Sequence, residues 1–188
     1  PGAHPSGADC NVENKGDNIS VVEEAVGGNK CLMIEDAPGL QYEYNPHLVY
    51  KPNHKSGITT LSYDLRLTAG AKLYNEWRSW DVQPYRVGPT LTVDNDWLIV
   101  EGQEVMQLPE DEWVHFEIQA AVGEDADGTW KLTVGVTGSE PVIYENLKNG
   151  NADFASLNWI GWSSTATDKT AFFIDNLSIT NSKYSEFE

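Results

Sequence analysis

Residues 71–88 carry more reactive and ring-bearing side chains than any stretch of similar length in the chain. Within them Tyr74, Glu76, Arg78 and Trp80 alternate with Leu73, Asn75 and Trp77. In an extended strand, side chains two apart share a face. The first four therefore form one surface of two aromatic rings, a carboxylate and a guanidinium. Ring planes offer broad apolar contact with a polar edge, and charged groups of this geometry bond pairs of neighbouring hydroxyls. That combination suits recognition of a sugar. Tyr85 and Arg86 follow Pro84 and are placed to flank the same groove. The plainer alternative is an exposed sheet face with a Glu76–Arg78 or Asp64–Arg78 ion pair and Trp80 over an edge.

Two other alternating runs extend the idea. Ser62, Asp64 and Arg66 oppose Leu61, Tyr63, Leu65 and Leu67, and Trp113, His115, Glu117 and Gln119 oppose Val114, Phe116, Ile118 and Ala120. If the polar faces of these strands align, Asp64, Arg66, Glu76, Arg78, His115 and Glu117 form one charged floor. On that floor His115 stands near Glu117 and fits a base toward a sugar proton. His47, beside Pro46, is placed to line a groove edge, whereas His4 and His54 read as loop residues.

The elements that must position these groups are β-strands. Strand-like runs cover residues 18–24, 30–35, 40–44, 57–68, 72–79, 86–93, 97–101, 113–122, 129–137, 141–144, 157–163 and 171–180. Turn signals separate them, including Gly27-Gly28-Asn29, Pro38-Gly39, Ala69-Gly70, Asp94-Asn95-Asp96 and Asp127-Gly128. Period-two alternation with one apolar face marks half-buried antiparallel strands. No helical periodicity is sustained, and residues 147–154 have room for one helical turn. About twelve short strands predict an all-β, two-sheet antiparallel sandwich. Residues 1–17 read as a polar lead-in, 18–182 as a single sandwich domain and 183–188 as a C-terminal tail.

Charge narrows the partners. With 29 acids against 12 bases the formal charge is −17. Nucleic-acid binders need clustered Lys and Arg, and an anionic membrane surface attracts the same residues, so neither is an expected partner. No apolar run approaches the roughly 18 residues of a membrane span. Seven Trp and eight Tyr supply both core and partly wet contact surfaces. Cys10 and Cys31 fit either a disulfide or two buried thiols. The chain opens on Pro1-Gly2-Ala3-His4-Pro5 without a signal peptide, so an extracellular or periplasmic location is an expectation from composition. No phosphate-binding loop and no G-x-S-x-G elbow is present.

Two segments carry a family resemblance. Glu112-Trp113-Val114-His115-Phe116-Glu117-Ile118 is followed by Gly128-Thr129-Trp130-Lys131-Leu132-Thr133-Val134, and the chain closes its last strand on Phe172-Phe173-Ile174-Asp175-Asn176-Leu177-Ser178-Ile179. These are similar to the W-x-x-x-x-I…G-x-W-x-L-x-V hairpin and the D-N-containing last strand of concanavalin A-like and laminin G-like sandwiches. The last strand also resembles that of many jelly-roll carbohydrate-binding modules. The resemblance spans roughly residues 57–180 and mostly encodes the fold, which by itself does not fix function. It implies a jelly roll and, at the Asp175 position, one structural calcium ion, with Glu35 and Asp36 as partners. The E-x-D-x-x-E run of laminarinase-type glycosidases is absent, as are the Q-[IV]-H and Y-x-K-x-G-x-Y motifs of alginate-lyase sandwiches.

The sequence therefore predicts a non-catalytic polysaccharide-binding domain, a module of an exported glycan-degrading protein. Its expected ligand surface comprises Arg66, Tyr74, Glu76, Arg78, Trp80, Tyr85, Arg86, His115 and Glu117. A sandwich-fold glycoside hydrolase or polysaccharide lyase is the first alternative. An extracellular protein-interaction or adhesion domain is the second.

Overall fold

The computed structural model describes residues 2–24 and 27–183. Its strands form two antiparallel sheets of seven. In spatial order the first holds β1 (Asp9–Asn11), β4 (His47–Tyr50), β13 (Trp159–Ser164), β6 (Leu73–Ser79), β7 (Arg86–Asp94), β8 (Trp97–Val100) and β9 (Gln103–Gln107). The second holds β12 (Val142–Lys148), β11 (Thr129–Val136), β10 (Val114–Val122), β5 (Gly57–Leu67), β14 (Ala171–Asn181), β3 (Lys30–Glu35) and β2 (Asn18–Glu23). This is the all-β, two-sheet antiparallel sandwich that the alternation predicts, in the concanavalin A-like jelly-roll form that the resemblance implies.

The core follows from that alternation. Leu61, Tyr63, Leu65 and Leu67 of β5 are buried, as are Leu73 and Trp77 of β6, so the two strands face each other across the sandwich. Tyr63 stacks on Phe116 with ring centroids 5.4 Å apart and meets Trp162 edge-on at 5.3 Å. Burying each such side chain stabilises the fold by about 1.5–3 kcal/mol. Asn75 is a buried polar residue on the inner face. Its amide donates to the Gly161 carbonyl at 2.9 Å, which ties β6 to β13 beyond their ladder.

Several boundaries differ from the sequence reading. Residues 40–44 are loop, and the strand is His47–Tyr50. Tyr42 and Tyr44 alternate as a strand would, but both point into solvent, and the buried pair is Leu48 and Val49. β1 lies inside the expected lead-in and pairs with β4. β9 has no buried position and so no apolar face to read. Residues 147–154 are not helical, since β12 runs to Lys148 and a turn follows. Cys10 and Cys31 are free thiols. They sit on β1 and β3, in different sheets, and burial pushes both upward in pKa. Residues 184–188 of the expected tail lie outside the described residues. Among the described residues no helix is long and apolar enough to cross a membrane.

Candidate functional site

The charged floor divides between the two sheets. The chain turns at residues 68–72 and passes from β5 in the second sheet to β6 in the first. Both strands bury their apolar face, so their polar faces point to opposite outsides of the sandwich. Arg66, His115 and Glu117 are thus on the far surface from Tyr74, Glu76 and Arg78. There Arg66 pairs with Glu24 at 3.2 Å and lies over the rings of Phe173 (4.4 Å) and Trp113 (4.9 Å). His115 bonds Asp64 through Nδ1 at 2.7 Å, and the other Asp64 oxygen accepts from Asn176 at 2.7 Å. Glu117 sits between Ser62 and Thr133 in register. On that surface Asp64, Arg66 and His115 are thus engaged by other side chains.

The outer face of the first sheet keeps the richer constellation. Tyr74, Glu76 and Arg78 of β6 stand half-buried on it, with Ser163, Gly161 and Trp159 of β13 opposite them in that order. Arg78 Nε donates to Glu76 Oε1 at 2.5 Å. Its guanidinium carbon lies 4.1 Å from the Trp159 ring centroid and 4.8 Å from that of Tyr85. Arg78 is therefore clasped between two rings, an arrangement worth about 0.5–2 kcal/mol per ring. Tyr85 in turn packs against Trp80 at 4.3 Å. Trp80 remains 43% exposed, an open aromatic plate. Arg86 departs from the expected grouping. It opposes Ser79 in register and pairs with Asp153 at 2.7 Å.

Small residues make room for this. A Cβ on Gly161 would stand 2.1 Å from the Trp159 ring, so the indole lies flat across the glycine. The Trp80 loop is pinned from the other side. The Trp80 amide donates to Asn158 Oδ1 at 2.9 Å, while the Asn158 amide and the Ser156 hydroxyl donate to Asp81 at 3.0 and 2.7 Å. A groove of about 590 Å³ opens along this face, lined among others by His47, Val49, Trp80, Asn158 and Trp159.

His47 is the best-defined polar group of the groove. Its Nδ1 is 2.8 Å from Asn45 Oδ1, and Asn45 Nδ2 donates to Glu13 Oε1 at 3.1 Å. Burial opposes ionisation of Glu13, but the amides of Gln41 and Tyr42, the Lys15 ammonium and the Asn45 amide bring its pKa down to about 2. Glu13 is therefore an acceptor, Asn45 must turn its NH₂ toward it, and His47 must present Nδ1–H to the Asn45 carbonyl. Nε2 then carries the lone pair. Burial, with the Arg78 guanidinium behind it, holds His47 below the usual imidazole range and so neutral.

Sequence reasoning found Tyr74, Glu76, Arg78, Trp80 and Tyr85 together and placed His47 at a groove edge. It missed Trp159 and Gly161, whose signal was a Trp two residues before a Gly in a strand. It also missed the Glu13–Asn45 support, which no local pattern announces. Asp175, Glu35 and Asp36 are not gathered. Asp175 accepts from Asn29 and from the Asn176 amide, and Glu35 pairs with Lys169. Ala171 is the residue opposite Glu35, so Asp175 is four residues further along β14. Calcium needs six to eight oxygens. No group of three or more His, Cys, Asp or Glu suited to a metal occurs among the described residues.

No family model matches the chain, and no curated protein matches it. Solved structures do. An endo-β-1,4-glucuronan lyase from the fungus Trichoderma reesei superposes with a TM-score of 0.66 at 11% identity, covering 96% of this chain and 94% of that one. The marine PL-14 alginate lyase from Aplysia kurodai gives 0.60 at 12%, covering 87% of each. A carbohydrate esterase from the Shiga toxin-encoding bacteriophage phi24B gives 0.59 at 12%, covering 94% and 91%. At such identities the likeness shows the shared sandwich fold.

Proposed function

We propose that the outer face of the first sheet binds a neutral polysaccharide without cleaving it, as a domain of an exported protein. The observation that carries this is Arg78 held by Glu76 between Trp159 and Tyr85, with Trp80 beside them. The clasp is rigid, its charges cancel, and it presents rings beside hydrogen-bonding groups. Rigid plates lose little entropy when a ligand docks on them. The formal charge of −17 disfavours polyanions at long range. Support also comes from the structural relatives, whose names carry carbohydrate chemistry.

The carboxylates on and beside this face are engaged. Glu76 pairs with Arg78, Asp81 accepts from Ser156 and Asn158, and Asp9 pairs with Lys51. A glycosidase needs a free pair of carboxyls flanking the bond. A catalytic reading, as a polysaccharide lyase, has one observation in its favour, a neutral His47 that lines the groove with its Nδ1 engaged by Asn45.

Affinity gels with cellulose derivatives, xylan, mannan and mixed-linkage glucan test the proposal. Retention on at least one gel is expected for the wild type, with loss in Trp159→Ala and Arg78→Ala and no unfolding of either variant. Lack of retention on every gel overturns it. Release of new reducing or unsaturated ends during incubation replaces it with the catalytic reading.

A further inference from the structure

The loop of residues 36–46 holds two aromatic rings in solvent. Tyr42 is 45% and Tyr44 46% exposed, yet they stack at 5.3 Å with planes 22° apart. Tyr44 also meets the His47 ring edge-on at 5.6 Å. Apolar burial does not hold these rings in place. Glu13 holds them, since its carboxylate accepts from the Gln41 amide at 2.7 Å, the Tyr42 amide at 2.8 Å and Asn45 Nδ2 at 3.1 Å. A half-buried carboxylate thus fixes a pair of exposed rings, and the same carboxylate, through Asn45, orients the neighbouring imidazole. Pre-ordered exposed rings are what a stacking ligand rewards.

Tyr44 adjoins the groove through its contact with His47, and Tyr42, stacked on Tyr44, lines a neighbouring cavity with Ala37, Leu40 and Thr165. β6 and β4 are two strand spacings apart, about 10 Å, with β13 between them. Arg78 stands on β6, Trp159 on β13 and His47 on β4, and the Tyr44 ring centroid lies 5.6 Å from that of His47. That span is longer than one sugar unit.

We infer that Tyr42, Tyr44 and Nε2 of His47 form a second subsite, which takes a further unit of the same neutral polysaccharide chain that lies over Trp159 and Trp80. Tyr44 stacks on the apolar face of the unit, and Nε2 accepts from one of its hydroxyls. The inference rests on the proposed binding function of the first sheet. It adds that affinity grows with chain length and that the loop of residues 36–46 sets how far.

Calorimetric titration with cello-, xylo- and manno-oligosaccharides of two to six units separates the two ideas. For the series that binds, wild-type affinity is expected to rise with length. Tyr44→Ala removes the rise, lowering affinity for the longest oligomer about tenfold while leaving the shortest bound as before. His47→Gln, which keeps an acceptor but not its orientation, weakens every length, and the longest oligomer the most. Trp159→Ala weakens every length. Tyr42→Ser serves as a second variant of the exposed pair, and circular dichroism verifies the fold of each. An unchanged length dependence in Tyr44→Ala and Tyr42→Ser overturns the second subsite while the first stands. Absence of binding at every length in the wild type overturns both.

Discussion

His47 donates its Nδ1–H to the side-chain carbonyl of Asn45 at 2.8 Å, and that bond decides which face of the imidazole the groove sees. The decision originates one residue further back. Glu13 accepts the Asn45 NH₂ group at 3.1 Å, so the amide cannot reverse without setting its carbonyl against a carboxylate. Nitrogen-resolved spectra of the imidazole should show His47 protonated on Nδ1 at neutral pH. Asn45→Ala should release that tautomer. A wild-type ring protonated on Nε2 would break the relay.

The same residue gives ligand binding a pH dependence. Burial and Arg78 keep His47 below the ordinary imidazole range, so the neutral ring persists through neutrality. The folded state binds this proton less readily than the unfolded chain. Its contribution to stability is therefore complete above the ordinary imidazole pKa and is lost as pH falls toward the depressed one. Protonation also converts the Nε2 acceptor to a donor. Affinity for a long oligosaccharide should be flat at neutral and alkaline pH and decline on acidification. His47→Gln should remove that decline.

Glu13 supplies a lower window. Its pKa of about 2 in the fold lies beneath the ordinary carboxylate range. The stability it contributes is full above that range and is lost as pH falls toward 2. Thermal melts of Glu13→Gln should therefore differ from wild type at neutral pH and converge with it in strong acid. Proteolysis within residues 38–46 should quicken in the variant at neutral pH, since the loop loses its anchor. Equal proteolysis rates would show that the loop is held otherwise.

How much of this was legible in the sequence depends on the range of the signal. Alternation is local, so the faces of β5, β6 and β10 were readable residue by residue, and Tyr74, Glu76 and Arg78 do share a surface. Which strands are neighbours is not local. Asp64 and Glu76 are both polar-face residues on consecutive strands, but the turn at residues 68–72 carries the chain across the sandwich instead of pairing β5 with β6. The floor assembled from both strands fails for that reason alone. Trp159 enters the site because β13, some eighty residues later, pairs with β6. Gly161 matters only once that pairing exists. The Glu13–Asn45 contact joins an N-terminal segment to a loop, and hydrogen bonds of that span leave no periodic trace.

Asp36 offers a test away from the groove. It is 1% exposed, its Oδ1 accepts from the Ala37 amide at 2.7 Å, and its Oδ2 has no partner. Burial raises its pKa, outweighing the pull of nearby donors on Ser164, Ala37 and Ala166, and nearby Asp17 raises it further. For an acid shifted upward, the folded state holds the proton more tightly. Stability then falls as pH rises from the ordinary carboxylate value through the raised one. Asp36→Asn removes the charge at nearly constant shape. It should stabilise the domain at neutral pH by about 1 kcal/mol, the scale of an unsatisfied buried polar group, and by little in acid. A variant less stable than wild type at neutral pH would show that the carboxylate has a partner that the fold requires.

Gly161→Ala tests the groove most sharply, because the change is one methyl group. The new Cβ would stand 2.1 Å from the Trp159 ring and 2.6 Å from two further ring atoms, so the indole must lift off the sheet. Arg78 then loses the nearer of its two rings, now 4.1 Å away, while keeping Glu76 and Tyr85. The strand itself is not strained, since Gly161 is in ordinary extended pairing with both Glu76 and Val49. The core beneath it, Ile160 and Trp162, points the other way and is untouched. The expected result is a thermal midpoint within a few degrees of wild type, a shifted tryptophan emission, and polysaccharide affinity reduced about tenfold or more. The double variant Gly161→Ala, Trp159→Ala should bind no worse than Trp159→Ala alone, because the two changes remove the same plate. Additive losses would mean that Gly161 contributes to the ligand surface in its own right.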